Sequence, residues 1–323
     1  MSIFLIGLVK NQLSSKQIAA LKALAPNMEF VYTNDKEEIA KVIADVEIVA
    51  GYIPRDLTTK ATSLRWYQQW GAGADWLAKH PEVAAMDFTL TSASGVHAVP
   101  ISEHIFAFLL GHARLFRPAL EAQMRGEWAS NEAEIKQHSV ELAHSTMLLI
   151  GVGAIGERTA KIAAAHEMEV IGLRRDPSIG CPHIERMVSS TELLTVLPEA
   201  DFVVITAPLT AETKHMFNAD AFAAMKSSAY IVNIGRGGII DEQALVSALQ
   251  NGSISGAGLD VFEQEPLPAD SPLWSMQNVM ITAHYSGLTP NYDSRAFEIL
   301  LDNLRRYQSN QPLRNVVDKE LGY

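Results

Sequence analysis

The segment 147–175 constrains the fold more than any other part of the chain. It opens with an apolar run of strand length, continues through Gly151-Val-Gly-Ala-Ile-Gly156 and an alanine-rich amphipathic stretch, and ends in a second apolar run, Glu169–Leu173. This order predicts a strand, a tight turn, a helix and a second strand, which is the context that a G-x-G-x-x-G pattern needs to bind a dinucleotide. A glycine-rich turn that only packs is the alternative explanation.

Backbone access explains the three glycines of this pattern. Gly151 can take the sharp turn, Gly153 lets a pyrophosphate come close to the main chain, and Gly156 lets the helix pack tightly on the strand. The N–H groups and the positive dipole end of the helix then hold the phosphates. We therefore predict cofactor contacts at Ala154 and Ile155 as well.

Two arginines stand where the second strand ends, at a place where this motif usually has an acid for the ribose hydroxyls. Arg174 and Arg175 are permanently charged and suit a 2′-phosphate, because a guanidinium binds phosphate oxygens in a fork. The pattern favours NADP over NAD. Two alternatives stay open: both arginines are merely solvated, or Asp176 turns in to serve NAD.

Composition limits the remaining classes. A chain of 323 residues is long enough for two domains, and 48% hydrophobic with 20% charged residues is typical of a globular protein. A formal charge of −11 argues against binding to nucleic acid or anionic membranes. Three features predict a cytoplasmic protein. The chain has a single cysteine, it has no apolar run near the roughly 18 residues that span a bilayer, and it lacks the features of a signal peptide. We predict no metal site.

The first hundred residues alternate short apolar runs with helical patterns, which predicts a small α/β domain with a parallel sheet. The strand candidates are 3–8, 28–32, 46–50, 65–69 and 88–91. Glycine-rich loops follow two of these candidates and either form a carboxylate cradle of backbone N–H groups or are ordinary strand-to-helix turns. Their candidate substrate-binding residues are Gly71, Ala72, Gly73, Ser94 and Gly95.

A long helix is predicted after Pro100, continuing to about Phe116. Its apolar residues nearly encircle it, so we expect it at a domain junction or a subunit contact. Residues 117–143 are polar and are predicted to be irregular. Trp128 stands alone among charges there, and either marks an interface or docks onto its own domain.

Four further apolar runs after the glycine motif resemble central parallel strands, at 201–210, 229–238, 254–261 and 279–284. Ligands of such sheets lie beyond the carboxyl ends of the strands. Those ends supply Arg236, Asp260 and His284, with Glu265 shortly after the third strand. An arginine can clamp a carboxylate and polarise a carbonyl, a histidine can move a proton near neutral pH, and a glutamate can hold its tautomer. Singly, each also has a structural explanation; together they indicate hydride transfer beside a nicotinamide.

Spaced motifs run along nearly the whole chain. They are Trp70-Gly-Ala-Gly-Ala-Asp75, Gly95-Val-His-Ala98, the glycine motif, Ala207-Pro-Leu-Thr210, Asn233-Ile-Gly-Arg-Gly237, Gly258-Leu-Asp-Val-Phe-Glu-Gln-Glu-Pro266 and Thr282-Ala-His284. In this order they resemble the D-isomer-specific 2-hydroxyacid dehydrogenases. Within the family the chain is most similar to the glyoxylate and hydroxypyruvate reductase or phosphoglycerate-dehydrogenase-like branch. Two departures from its pattern are Arg174 in place of an acid and Ala283 in place of the proline before the catalytic histidine.

The resemblance implies the roles of individual residues. Arg236 would bind the 2-oxo acid, His284 would be the acid/base, and Glu265 its partner, while Asp260 would sit by the nicotinamide carboxamide. The further cofactor-binding positions that it implies are Ala207, Pro208, Thr213, Ile234 and Gly287.

The resemblance also implies an architecture and an activity. A Rossmann-type doubly wound domain, 100–289, would bind the dinucleotide, and a smaller flavodoxin-like α/β domain, 1–99 with 290–323, would bind substrate. The chain would form a homodimer through the helix after Pro100 and the arm that follows. NADPH would reduce a small 2-oxo acid reversibly to a D-2-hydroxy acid. The alternatives are a non-catalytic dinucleotide sensor and, less in keeping with the residues, a formate-oxidising relative.

Overall fold

The protein divides into two compact units in the computed structural model, which describes residues 2–319. The first unit is Met1–His97 with Thr289–Tyr323, and the second is Ala98–Leu288. No helix within residues 2–319 combines the length and the apolar character that a bilayer span requires.

Strands and helices alternate through both units. The strands, β1 to β12 in chain order, are Ile3–Gly7, Glu29–Tyr32, Val46–Gly51, Trp66–Gln69, Thr89–Thr91, Thr146–Ile150, Glu169–Leu173, Arg186–Val188, Phe202–Ile205, Tyr230–Asn233, Gly256–Leu259 and Val279–Ile281. The helices, α1 to α12, are Ser15–Leu24, Lys36–Val42, Arg55–Thr58, Pro81–Ala84, Ala98–Ala113, Phe116–Met124, Glu132–His138, Ala154–Ala165, Leu193–Val196, Ala219–Ala224, Glu242–Gln250 and Tyr292–Gln308.

The first unit is a five-stranded parallel sheet in the order β2-β1-β3-β4-β5. Its strands are apolar on both faces. Leu5 and Val49 face one core cluster, whereas Phe4, Ile6 and Ile48 face the other, which is closed by helix α12. A doubly covered parallel sheet is the arrangement that such continuous apolar runs require. The α/β prediction is confirmed, and the five predicted strands are present.

Local signals set the ends of the helices in this unit. Ser14 accepts a hydrogen bond from the Gln17 N–H while the Gln17 side chain reaches back to the Ser14 backbone, so a capping box starts α1. The Asp35 carboxylate caps α2 by accepting from the N–H groups of Glu37 and Glu38.

The second unit is a seven-stranded parallel sheet in the order β12-β11-β10-β9-β6-β7-β8. Numbered from β6, this is the Rossmann order 3-2-1-4-5-6 with one strand added at the far edge. The order reverses between β6 and β9, which is the switch point where such sheets bind ligands. The Rossmann prediction is confirmed. Strand β8 was not anticipated, since it has three residues and its first, Arg186, is exposed.

Helix α5 is buried in the second unit, as its apolar surface predicts. Phe108 fits against Gly258 in the middle of β11, where a Cβ would lie 2.7 Å from the Phe108 Cγ. Gly111 likewise lies against Met280 of β12, with a Cβ position 3.2 Å from the Met280 Sδ. Small residues at both contacts bring the helix close to the sheet.

The prediction that residues 117–143 are irregular is wrong, because α6 and α7 lie there. Asn131 starts α7 by accepting from the Glu134 N–H. Phe116, Leu120 and Met124 recur every four residues along α6, which is helical spacing. Their exposure explains why a pattern of buried residues does not reveal this helix.

Candidate active site

The turn between β6 and α8 depends on glycine in three different ways. Gly151 has φ +92°, and a Cβ there would lie 2.7 Å from the Cα of Ala207, at the end of β9. At Gly156 a Cβ would lie 2.6 Å from the Gly151 carbonyl oxygen. Gly153 differs, because no heavy atom lies within 4 Å of its Cβ position. Two glycines therefore permit packing, and the third leaves open space beside the turn.

The N-terminus of α8 fits a dinucleotide pyrophosphate. Gly153 is its N-cap and supplies no side-chain acceptor, and Ala154 and Ile155 begin its first turn. Backbone N–H groups at a helix start bind anions, and the open space at Gly153 lets a pyrophosphate reach them. This turn lies at the switch point of the sheet.

Positive charge follows the end of β7. Arg174 is partly buried, and its guanidinium lies 3.4 Å from the Ile179 carbonyl oxygen; Arg175 is exposed. The Asp176 carboxylate accepts from both the N–H and the hydroxyl of Ser178. These bonds, with a smaller contribution from Arg174, hold the pKa of Asp176 below its usual value. Asp176, the first acid after the two arginines, is thus engaged in its own turn.

The loop after β9 is closed by Thr213, whose hydroxyl donates to the Pro208 carbonyl oxygen at 2.8 Å and accepts from the Thr210 N–H. The neighbouring Ala207 is buried, as is Ile234 at the end of β10. The Ile234 N–H donates to the Ile205 carbonyl oxygen across the sheet.

Arg236 is carried by a turn that a buried amide holds. The Asn233 side chain donates to the Arg236 carbonyl oxygen and accepts from the Gly235 N–H. A Cβ at Gly237 would lie 1.8 Å from the Phe262 carbonyl carbon, so the two backbones are in direct contact. The turn bearing Arg236 is thereby fixed against the segment that leads to Glu265. The Arg236 guanidinium is partly buried and also donates to the Gly235 carbonyl oxygen.

His284 and Glu265 form the pair that the sequence predicts. The distance from His284 Nδ1 to Glu265 Oε2 is 2.7 Å, and the other Glu265 oxygen accepts from the Phe262 N–H. His284 has φ +53°, an uncommon conformation for a residue with a side chain. Both side chains are partly exposed, at 49% and 36%. The carboxylate therefore fixes the imidazole ring through Nδ1, and the second ring nitrogen, Nε2, is the one that can contact a ligand.

Asp260 is fully buried and organises the loop that carries His284. Its carboxylate accepts from the Thr282 hydroxyl and from the N–H groups of Tyr285 and Ser286, and its carbonyl oxygen accepts from the His284 N–H. Sequence reasoning missed this bracing role and missed Asn233. Both residues lie inside sequence motifs, but the bonds of Asn233 are local, to positions two and three residues further along the chain, whereas the carboxylate of Asp260 reaches positions 22 to 26 residues away. Gly287, which follows this loop, is partly buried.

The predicted substrate loops lie in the first unit. Gly71 and Ala72 are partly buried and Gly73 is exposed, and the Gln69 amide donates to the carbonyl oxygens of Gly71 and Gly73. The Gln69 side chain therefore holds both carbonyl groups of the loop. Ser94 and Gly95 are both exposed; the Ser94 N–H lies 3.3 Å from the Ser92 hydroxyl, and Gly95 has φ +97°.

A Rossmann sheet with an arginine, a buried aspartate and a histidine–glutamate pair after adjacent strands defines an NAD(P)-binding oxidoreductase. The family model for "D-isomer specific 2-hydroxyacid dehydrogenase, NAD binding domain" matches residues 106–286. The chain belongs to the D-isomer specific 2-hydroxyacid dehydrogenase family.

Two curated proteins and one solved structure illustrate this similarity. Glyoxylate/hydroxypyruvate reductase B of Salmonella schwarzengrund is 36% identical over 255 residues, 78% of this chain and 77% of that protein. D-3-phosphoglycerate dehydrogenase of Methanocaldococcus jannaschii is 32% identical over 88% of this chain, which spans 54% of that longer protein. The structure of an NADPH-dependent glyoxylate/hydroxypyruvate reductase from Sinorhizobium meliloti, in complex with NADP and sulfate, has a TM-score of 0.81 at 28% identity and covers 100% of both chains.

Proposed function

We propose that this chain uses NADPH to reduce the C2 carbonyl of glyoxylate or hydroxypyruvate to the corresponding 2-hydroxy acid, with D configuration where C2 is chiral. The observation that carries the proposal is the 2.7 Å contact between His284 Nδ1 and Glu265 Oε2, after the strands of a dinucleotide-binding sheet. The substrate names come from the Salmonella and Sinorhizobium relatives.

The residues divide the chemistry as follows. When bound, NADPH supplies the hydride. Glu265 accepts from Nδ1–H of His284, which fixes the ring and directs its Nε2–H toward a substrate oxygen. Arg236 holds the substrate carboxylate in a forked contact and stabilises negative charge that develops on the carbonyl oxygen. Proton donation from Nε2 then completes the hydroxyl group.

A preference for NADP is supported by three observations. Arg174 and Arg175 follow β7, Asp176 is engaged by Ser178, and the Sinorhizobium relative was solved with NADP. Two guanidiniums suit a 2′-phosphate better than a free ribose diol. NAD stays the second cofactor to be tested.

Other contacts stay predictions for the bound enzyme. Asp260 and Gly287 are predicted beside the nicotinamide, and the loops at Gly71–Gly73 and Ser94–Gly95 are predicted to contact the substrate. A cytoplasmic location also stays a prediction.

We further propose a homodimer in which helix α6 takes part. Phe116, Leu120 and Met124 expose 58%, 57% and 86% of their surfaces along one stripe, and Trp128 exposes 93%. Contiguous exposed apolar side chains of this kind indicate a protein interface. Sedimentation should give twice the chain mass for the wild type, and a Leu120→Glu, Met124→Glu variant should sediment as a monomer; a wild-type monomer would contradict the proposal.

A panel of 2-oxo acids tests the main proposal. NADPH and NADH oxidation should be followed in parallel with glyoxylate, hydroxypyruvate and phenylpyruvate. We expect turnover with NADPH and at least one of the first two acids. Tight NADPH binding without turnover on any acid would instead favour the dinucleotide sensor.

A further inference from the structure

Helix α5 is joined to the catalytic loop through His104. The His104 Nε2 lies 3.0 Å from the Thr282 Oγ1, and the Thr282 hydroxyl donates to Asp260. The Thr282 hydroxyl has one proton, and it donates that proton to the Asp260 carboxylate, which is an acceptor. Thr282 must therefore accept a hydrogen bond from the Nε2–H of His104. This assigns the His104 tautomer with its proton on Nε2.

The His104 ring also contacts the other end of the same loop. It lies edge-on to Tyr285, with the ring centroids 5.7 Å apart and an interplanar angle of 89°. Its second neighbour is Phe108, at 4.8 Å and 89°. His104 thus touches the loop two residues before His284 and again directly after it.

The loop needs such support because His284 has a positive φ of +53°. A residue with a side chain holds that conformation only where the surroundings determine it. Asp260 supplies acceptors for the His284, Tyr285 and Ser286 N–H groups, and His104 is bonded to the same carboxylate through Thr282.

The histidine itself is held by close packing and stays a neutral donor. Gly258 and Gly111 allow α5 to lie directly on β11 and β12, and the partly buried His104 ring contacts Phe108 and Tyr285 edge-on. Burial lowers the pKa of His104, and the charge of Asp260 opposes this only in part. A neutral ring with its proton on Nε2 makes the bond to Thr282 without adding a charge beside the site.

We propose that His104 is a positioning residue for the reaction, which holds the backbone of His284 through Thr282 and Asp260 so that the His284 ring stays on Glu265. The proposal rests on the proposed function, because it assigns proton transfer to His284. No contact of His104 with the reacting atoms is required.

Two substitutions at His104 separate its donor from its ring. His104→Phe keeps a ring and removes the donor, whereas His104→Gln places an amide N–H near the position of Nε2. We expect His104→Phe to lower kcat by 10- to 100-fold, as displaced catalytic groups do, with the KM for NADPH within about threefold of wild type. His104→Gln should recover most of kcat.

A matched control lies on the same helix. His112 is two turns further along α5, stacks on Tyr230 at 4.0 Å and makes no contact with the loop 282–286 that the structure records. His112→Phe should leave kcat unchanged. If His104 acts through Thr282, the double variant His104→Phe, Thr282→Val should lose no more than about twofold beyond the larger single loss.

Amide hydrogen exchange provides a readout that needs no turnover. In His104→Phe the N–H groups of Tyr285 and Ser286 should exchange about tenfold faster than in wild type, and His104→Gln should restore their protection. Unchanged exchange, or equal losses of kcat in the two variants, would overturn the positioning role. A wild type that reduces no 2-oxo acid would refute the proposed function, and the exchange result would still decide whether His104 holds the loop.

Discussion

Replacing Gly153 with alanine should separate cofactor binding from folding. The Cβ would meet no heavy atom within 4 Å, and the backbone φ of −109° suits any residue. Alanine is a poorer N-cap than glycine by up to about 1 kcal/mol, but it reduces the freedom of the unfolded chain by about 0.4–1 kcal/mol. The two effects nearly cancel, so the free energy of unfolding should change by less than about 1 kcal/mol.

Cofactor affinity should respond strongly to the same change. The added methyl group would occupy the open space that brings a pyrophosphate onto the first turn of α8. Forcing one extra carbon into a close contact costs about 1–3 kcal/mol, which corresponds to a Kd for NADPH roughly 5- to 150-fold higher.

The neighbouring glycines are matched controls with the opposite expectation. Gly151→Ala combines φ +92° with a Cβ 2.7 Å from the Ala207 backbone, and Gly156→Ala places its Cβ 2.6 Å from the Gly151 carbonyl oxygen. Both should lose stability, because backbone atoms cannot easily move aside. Thermal unfolding and titration of NADPH fluorescence measure the two effects. A Gly153→Ala protein with wild-type Kd, or one that melts far below wild type, would refute the reasoning.

Three further predictions concern individual side chains. Arg236→Ala should lower kcat/KM by about 100-fold or more, equivalent to about 3 kcal/mol, because a charge-assisted contact at the reacting centre is lost; near-normal kcat/KM on every 2-oxo acid would contradict its role. Glu265→Gln should lower kcat by about 10- to 100-fold with unchanged thermal unfolding, since a neutral amide oxygen is a weaker acceptor for the Nδ1–H of His284 than a carboxylate is; a kcat within twofold of wild type would count against the pair. Burial lowers the pKa of His112 from 6.5 to about 4. Below pH 6.5 the unfolded chain therefore takes up a proton that the folded chain does not, so the free energy of unfolding should fall with pH down to about 4. Between pH 7.5 and 4.5 the free energy of unfolding of His112→Phe, measured in urea, should rise by about 2–3 kcal/mol relative to that of the wild type. Equal pH slopes for the two proteins would show that His112 is not responsible.

The strand, turn and helix around Gly151 could be predicted from sequence because the signal is local. The apolar runs are continuous where a strand is covered on both faces, and the glycines stand where backbone must approach backbone. The order of the strand ends also selected Arg236, Glu265 and His284, since parallel strands present their carboxyl ends at one edge. Exposed elements gave no such signal, and for this reason α6 and α7 were predicted as irregular chain.

The sequence by itself determined the α/β class of the fold and the residue types of the candidate site. Only the tertiary structure decided what holds those residues: Asp260 against the N–H groups of Tyr285 and Ser286, Gly237 against Phe262, and His104 against Thr282, a pair separated by 178 positions in the chain. Such contacts arise from the order in which strands pair and from how closely a helix packs on them. The strand order and the closeness of helix packing cannot be predicted from the spacing of residues along one segment, because both depend on surfaces that meet only after the chain has folded.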